Sequence, residues 1–302
     1  MNDENNKLLS GMIIKLIGGI YYVDASDSIY ECTARGVFRN KGISPCCGDM
    51  VSIDVTGERS GVITQILPRK NEIIRPPLAN LDNLVLVTST CEPSPNLLLL
   101  DKFIAVAEFK HINPILVFTK SDLKPADKLC EIYEKSNIEA YAISDSDPGG
   151  ADAVKQRLAG ELSAFTGNTG VGKTTLLNRI FPELGEKTAE ISRKLGRGRH
   201  TTRHVSLYKL EGGGYIADTP GFSSFETGKY DVIFKDELAD CFREFRPYLG
   251  KCRFVNCSHT KENGCAVLEA VQNGDIQPTR HESYAMMYDE AKLIPEWQYK
   301  KR

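Results

Sequence analysis

Gly167-Asn168-Thr169-Gly170-Val171-Gly172-Lys173-Thr174 follows the apolar run 162–165 and precedes a helical pattern over 174–180. A strand that enters a glycine-rich turn and leaves it as a helix is the setting of a phosphate cradle. The glycines let backbone N–H groups wrap phosphate oxygens, which a Cβ would obstruct. The following helix turns its positive end toward the same oxygens. Lys173 is spaced to reach the outer phosphates of a nucleotide, and the Thr174 hydroxyl to ligate Mg2+. Thr175 closes the nucleotide-binding run.

Working downstream, Asp218-Thr219-Pro220-Gly221 follows a short strand, 45 residues after Lys173. There Asp218 is placed to hold the Mg2+ shell through water, and the Gly221 N–H to meet a γ-phosphate. Between the two motifs, 187–204 carries six basic residues (Lys187, Arg193, Lys194, Arg197, Arg199, Arg203) against the single acid Glu190. It reads as a switch that also meets RNA phosphates. It closes on His200-Thr201-Thr202-Arg203, where Thr201 or Thr202 is expected to complete the Mg2+ shell when the triphosphate is bound. The position after Asp-x-x-Gly that commonly carries a water-orienting Gln is Phe222, so slow intrinsic hydrolysis is expected. His200 is the internal candidate for orienting the attacking water.

Working upstream, Thr119-Lys120-Ser121-Asp122 directly follows the buried-type strand 115–118. The Asp122 carboxylate suits guanine, which offers N1–H and an exocyclic amine, and repels adenine, which presents an acceptor at N1. The Lys120 stem lies along the ring face in this reading. Thr119 stands where Asn is usual, a departure expected to loosen the tie to the phosphate loop. Ser144-Asp145, after the strand 140–143, is the second base contact. In ordinary GTPases the phosphate loop comes first; here the base readers precede it. Each loop needs only its own strand end, so the sheet can still close. The chain therefore reads as a circularly permuted GTPase. Its segment 218–225 leads straight into the C-terminal region, and nucleotide state is expected to be transmitted there.

The flanks read as separate modules. Short alternating segments at 12–17, 20–23, 29–33, 50–55 and 61–66, separated by turn residues, fit a five-stranded nucleic-acid-binding barrel, followed by a linker at 68–77. From residue 80, strands alternate with helices and imply a parallel sheet. Near the C-terminus, Cys252-x4-Cys257-x-His259-x5-Cys265 places three thiols and an imidazole within fourteen residues. That donor set matches a closed, structural Zn2+ site with no position left for water. A final helix is expected over 282–292. The fold class is thus multidomain α/β: an OB-type barrel (1–70), a permuted P-loop GTPase domain (71–228) and a helical zinc-binding module (229–302).

Composition excludes several alternatives. The 302 residues carry 38 basic and 40 acidic side chains, a formal charge of −2, with 41% hydrophobic and 26% charged. This is a soluble globular mix rather than a disordered, collagenous or coiled-coil one. No apolar run approaches the ~20 residues of a membrane span, and the polar, acidic start is no signal peptide. Nine cysteines, an odd count with most of them scattered, do not form a disulfide framework. A cytoplasmic setting is expected.

Taken together, the phosphate loop, Asp218 to Gly221, the early Thr119 to Asp122, His200-Thr201-Thr202, the Cys252/Cys257/His259/Cys265 set and Arg280-His-Glu-Ser-Tyr284 resemble the ribosome small subunit-dependent GTPase A family over nearly the whole chain. The resemblance implies an OB-fold, a permuted GTPase domain and a zinc module that together grip the small ribosomal subunit. It further implies rRNA contact, subunit-stimulated GTP hydrolysis and a role in late subunit maturation. A monomer that binds GTP and GDP and no membrane is expected. Two rivals make distinct demands: a P-loop kinase or ATPase would prefer ATP, and a nucleotide-dependent RNA-binding scaffold would show no regulated turnover.

Overall fold

The computed structural model describes residues 8–36, 38, 42–147, 149–182, 205–218 and 232–295. Its strands, in chain order, are β1 (Leu8–Ile17), β2 (Ile20–Ala25), β3 (Ser28–Ala34), β4 (Met50–Gly57), β5 (Ser60–Ile66), the short β6 (Glu72–Ile73) and β7 (Leu78–Ala79), β8 (Asn83–Ser89), β9 (Asn113–Thr119), β10 (Glu139–Ala142), β11 (Leu162–Thr166), β12 (Ser206–Lys209) and β13 (Tyr215–Asp218). The helices are α1 (Leu97–Phe109), α2 (Asp127–Glu134), α3 (Gly149–Arg157), α4 (Lys173–Ile180), α5 (Ala266–Gln272) and α6 (Pro278–Ala291), with 3₁₀ turns at Ala239–Cys241 and Arg243–Tyr248. The chain gathers into two compact units. One comprises Met1–Asn83, Lys155–Phe165 and Leu177–Ser223; the other comprises Leu84–Val154, Thr166–Leu176 and Ser224–Arg302.

In the first unit, period-2 alternation sends Ile13, Val23, Cys32, Val51, Ile53 and Ile63 to one side, where all are fully buried. The strands close around them as a ring. β1 pairs with β2, β2 with β3, β4 with β5 and β4 with β1, all antiparallel, while β3 and β5 pair in parallel. Closure leaves the barrel no free edge of its own. β1 also pairs with β12, Lys15 opposite Ser206, and β12 forms an antiparallel hairpin with β13. Two side-chain contacts reinforce this seam. The Tyr215 hydroxyl donates to Asp24 at 2.8 Å, and Lys209 Nζ lies 3.1 Å from the same carboxylate. β13 runs parallel to β11.

The stretch 68–77, expected as a linker, is an ordered part of this unit. Arg69 spans the fully buried Asp49 with two hydrogen bonds of 2.7 and 2.8 Å and donates again to the Ser44 carbonyl. Ile73 is buried, and β6 pairs with β7. A buried carboxylate without a partner is costly, and Arg69 supplies that partner from within the expected linker.

In the second unit β8, β9 and β10 lie side by side, with β9 and β10 parallel. Every residue of β8 is buried, as expected for a strand covered on both faces. The Asn96 side chain caps α1 by accepting the Leu99 N–H at 3.0 Å. The C-terminal region forms its own core, in which Phe242, Phe245, Cys265, Val267, Ile276 and Tyr284 meet Ala105 of α1. Helix α6 begins at Pro278 rather than at 282, because proline suits the first helical position, where its missing N–H has no partner to lose. Helices α3 and α5 were not anticipated. Gly149-Gly150 has the look of a turn, and α5 spans only two turns. Among the described residues no helix is long and apolar enough to cross a membrane.

Candidate nucleotide site and metal centre

The phosphate loop forms where β11 ends. Gly167 is there because of a close approach: a Cβ on it would stand 2.3 Å from the Val87 carbonyl oxygen. Gly172 takes φ +87°, a left-handed conformation that glycine enters without steric cost. Val171 is buried and anchors the loop, whereas Asn168, Thr169, Gly170, Thr174 and Thr175 are exposed and Lys173 is half-buried. The loop thus presents its backbone to solvent at the N-terminus of α4, where a partial positive charge favours an anion.

The base-reading loop meets it directly. Thr119, buried at the end of β9, donates from Oγ1 to the Val171 carbonyl at 2.6 Å. The expectation that threonine loosens this tie is therefore corrected: the hydroxyl reaches the phosphate loop because β9 delivers Thr119 against Gly172, whose added Cβ would lie 3.6 Å from Oγ1. Lys120 takes φ +58°. Ser121 N–H donates to the Ile143 carbonyl at 3.1 Å, and Asp145 N–H to Asp122 Oδ1 at 3.4 Å. Ser144-Asp145 is thereby brought beside an exposed Asp122. One unit brings Thr119 to Asp122, Ser144-Asp145 and Gly167 to Thr175 together. Sequence reading had no means of finding the segment 89–96, which borders the phosphate loop. A small cleft between them is lined by Pro93, Asn96, Leu99, Phe103, Gly167 and Val171.

Asp218 is the last residue of β13. β13 runs parallel to β11, with Leu162 opposite Tyr215 and Ala164 opposite Ala217. Gly221, His200, Thr201, Thr202, the basic stretch 187–204 and Phe222 lie outside the described residues.

At the second candidate centre, the four donor atoms of Cys252, Cys257, His259 and Cys265 all lie within 4.8 Å of one another. Bonds of about 2.3 Å to sulfur and about 2.0 Å to nitrogen around one tetrahedral ion require S···S near 3.8 Å and S···N near 3.5 Å. The Cys252–Cys265 sulfurs are 3.8 Å apart, and His259 Nδ1 is 3.5 Å from each of them. These are the edges of a coordination tetrahedron, so the residues fit a metal ion.

The surroundings hold the donors in place. The Ala266 N–H points at Cys252 Sγ (3.4 Å), and Arg253 N–H donates to the Gly264 carbonyl (2.9 Å). His281 Nε2 donates to the His259 carbonyl (2.8 Å), and the Tyr284 hydroxyl to the Ser258 carbonyl (2.9 Å). Burial lowers the pKa of His259 and keeps its imidazole neutral, as a ligand must be. It pushes the Cys257 thiol up to about 12, so a cation must displace that proton to bind.

One further buried group ties this region to α1. Arg280, 1% exposed, donates to Asp101 at 2.5 Å and to Glu244 at 2.7 Å, with its guanidinium 4.6 Å from the Phe242 ring centre. Burial works against its charge, but the two carboxylates outweigh burial and hold Arg280 protonated well above its ordinary range.

Comparison with known proteins matches two family models, "RsgA N-terminal domain" over residues 10–63 and "RsgA GTPase" over 66–228. The small ribosomal subunit biogenesis GTPase RsgA of Alkaliphilus metalliredigens is 42% identical over 287 residues, covering 93% of this chain and 97% of that protein. That of Caldanaerobacter subterraneus subsp. tengcongensis is 41% identical over 295 residues, covering 97% and 99%. Among solved structures, YloQ, described as a circularly permuted GTPase, aligns with TM-score 0.81 and 33% identity over 98% of this chain and 99% of that one. YjeQ from Thermotoga maritima aligns with TM-score 0.80 and 30% identity over 96% and 100%.

Proposed function

This chain belongs to the RsgA GTPase family, and from that premise we propose its working parts and partners. It is a GTP hydrolase, producing GDP and phosphate, that serves biogenesis of the small ribosomal subunit. The observation that carries the assignment to these residues is the Thr119 Oγ1–Val171 bond, which joins a guanine reader to a phosphate cradle that follows it in the chain.

Gly167 to Gly172 wrap the phosphates with backbone N–H groups, and Lys173 reaches the outer ones. Asp122 accepts from the guanine edge, with Lys120 along the ring, and Ser144-Asp145 makes the second base contact. Thr174, Asp218 and Thr201 or Thr202 would hold Mg2+, which would supply positive charge against the phosphates of GTP. Gly221 meets the γ-phosphate. With Phe222 unable to orient water, His200 takes that part, and turnover stays slow until the small subunit docks. GTP favours tight binding to the subunit and its rRNA, and hydrolysis releases it, which makes the cycle a check on late maturation. One Zn2+ in the Cys252/Cys257/His259/Cys265 centre is structural, since four protein ligands leave no position for a substrate. The modules are the barrel (1–70), the GTPase domain (71–228) and the metal-binding region (229–302), in a cytoplasmic monomer.

Two measurements test this. GTP turnover rises on adding small subunits and not on adding large subunits or free rRNA; equal rates in all three would leave only a nucleotide-dependent scaffold. Asp122→Asn exchanges a carboxylate for a group that can donate to xanthine O2. Preference then shifts from GTP toward xanthosine triphosphate by about a hundredfold, the loss expected for two hydrogen bonds to a charged acceptor. An ATP preference in the unaltered protein would overturn the reading.

A further inference from the structure

We propose that Thr90 is a positioning residue for guanine discrimination. The proposal rests on the reading of Thr119 to Asp122 as the base reader. Thr90 follows β8 directly and is fully buried. Its N–H donates to the Thr119 carbonyl at 3.0 Å, and its Oγ1 donates to the Lys120 carbonyl at 2.8 Å. One residue outside the motif therefore satisfies two consecutive carbonyls within it.

The second of those carbonyls belongs to the residue that needs holding. Lys120 sits at φ +58°, a left-handed conformation in which the Cβ of an L-residue crowds its own backbone. Such a conformation persists only where surrounding contacts over-determine it. Here the Leu123 and Lys124 N–H groups reach the Lys120 carbonyl at 3.0 and 3.3 Å, and further contacts come from 89–93. Thr90 grips the Lys120 carbonyl, the Lys120 ammonium donates to the Glu92 carbonyl, and Ser89 Oγ closes the turn on the Pro93 carbonyl at 2.5 Å. Pro93 also borders the phosphate loop, 3.9 Å from where a Cβ on Gly170 would lie.

The left-handed step at Lys120 sets the direction in which the chain reaches Asp122 two residues later. Asp122 is exposed, and its one described hydrogen bond is the long contact from the Asp145 N–H. Its aim is therefore inherited from the backbone before it. A carboxylate that accepts from both guanine N1–H and the exocyclic amine tolerates little misplacement. Thr119 fixes where the reader meets the phosphate loop, and Thr90 fixes the angle at which it departs.

Thr90→Val keeps the shape and the N–H bond and removes only the hydroxyl, leaving the Lys120 carbonyl to the Leu123 and Lys124 N–H groups that follow it in the chain. The test compares the full-length, metal-loaded protein with Thr90→Val, Thr90→Ser and Asp122→Asn variants. It measures affinity for the guanosine, inosine and xanthosine triphosphates, together with KM, kcat and thermal stability. Inosine lacks the exocyclic amine and reports on the Asp122 contact alone. Thr90→Val lowers the guanosine-over-inosine preference by about fivefold, the range for the loss of one neutral hydrogen bond, and the change falls on KM more than on kcat. Thr90→Ser restores the preference. A Thr90→Val protein that loses thermal stability while keeping its preference within about twofold makes the residue merely structural and overturns the proposal. Where valine prevents folding, Thr90→Ala replaces it under the same criterion. Should Asp122→Asn leave the guanosine-over-xanthosine preference unchanged, the base-reader assignment fails, and Thr90's role with it.

Discussion

Stripping the ion from the Cys252/Cys257/His259/Cys265 centre is expected to melt the C-terminal region. A structural zinc contributes about 10–16 kcal/mol of apparent binding energy in small peptides at neutral pH, comparable to the ~5–15 kcal/mol stability of a whole domain. The core beside the centre is small and incorporates its ligands: Cys265 is buried among Phe242, Phe245 and Tyr284, and Cys252 and Cys257 pack on the same cluster. Chelation, or Cys265→Ser, removes the cross-link that holds the stretch 252–265 against that core. Hydrogen exchange should lose its protection in α5 and α6, while β1 to β5 stay protected in their own unit. Elemental analysis before and after checks that one equivalent of metal has left. Release is easier in acid, because protons compete for thiols whose ordinary state is protonated. Full protection of α6 after complete removal would mean that the aromatic core holds by itself.

Arg280→Ala is expected to cost about 3–5 kcal/mol, the range for removing one partner from a buried ion pair. The loss arises from what remains, since Asp101 and Glu244 would stay buried with no cation between them. The measurement is the midpoint of denaturant unfolding at constant slope. A triple replacement of Arg280, Asp101 and Glu244 by apolar residues of similar size should recover most of the loss. Burial already pushes the Asp101 carboxyl above its ordinary value, with Arg280 opposing. In the variant that opposition is gone, so the folded form binds a proton that the unfolded form releases. A folded-state pKa above the unfolded one gives stability that is present at low pH and lost as pH rises through the folded value. Arg280→Ala should therefore be least impaired in mild acid, and a deficit that does not vary with pH would point to lost packing against Phe242 instead.

Most of what positions the site was legible in the residues. The barrel could be read because β-strand alternation is local, and the permuted order because each motif is contiguous and follows its own strand. The four donors that could hold a metal lie within fourteen residues, so their grouping could be read from spacing alone. What could not be read depends on long-range partners. Arg280 finds Glu244 36 positions away and Asp101 179 positions away, and nothing in any of the three neighbourhoods marks the pairing. Arg69 sat in a stretch rich in proline and charge that suggests a linker, yet its partner is Asp49 on the barrel side. Thr119 was read by comparison with asparagine, as a departure that loosens the tie to the phosphate loop. In the structure β9 brings the Thr119 hydroxyl within 2.6 Å of the Val171 carbonyl, a contact between positions 52 residues apart.

The pairing of β1 with β12 bears on how the protein can be dissected. A truncation that begins after the barrel would strip β12 of the pairing of Ser206 with Lys15 and leave that edge open to intermolecular strand addition. Tyr215 and Lys209 would lose Asp24 at the same stroke. A barrel-less fragment should therefore self-associate, and its poor behaviour in isolation would say little about whether the missing module touches RNA.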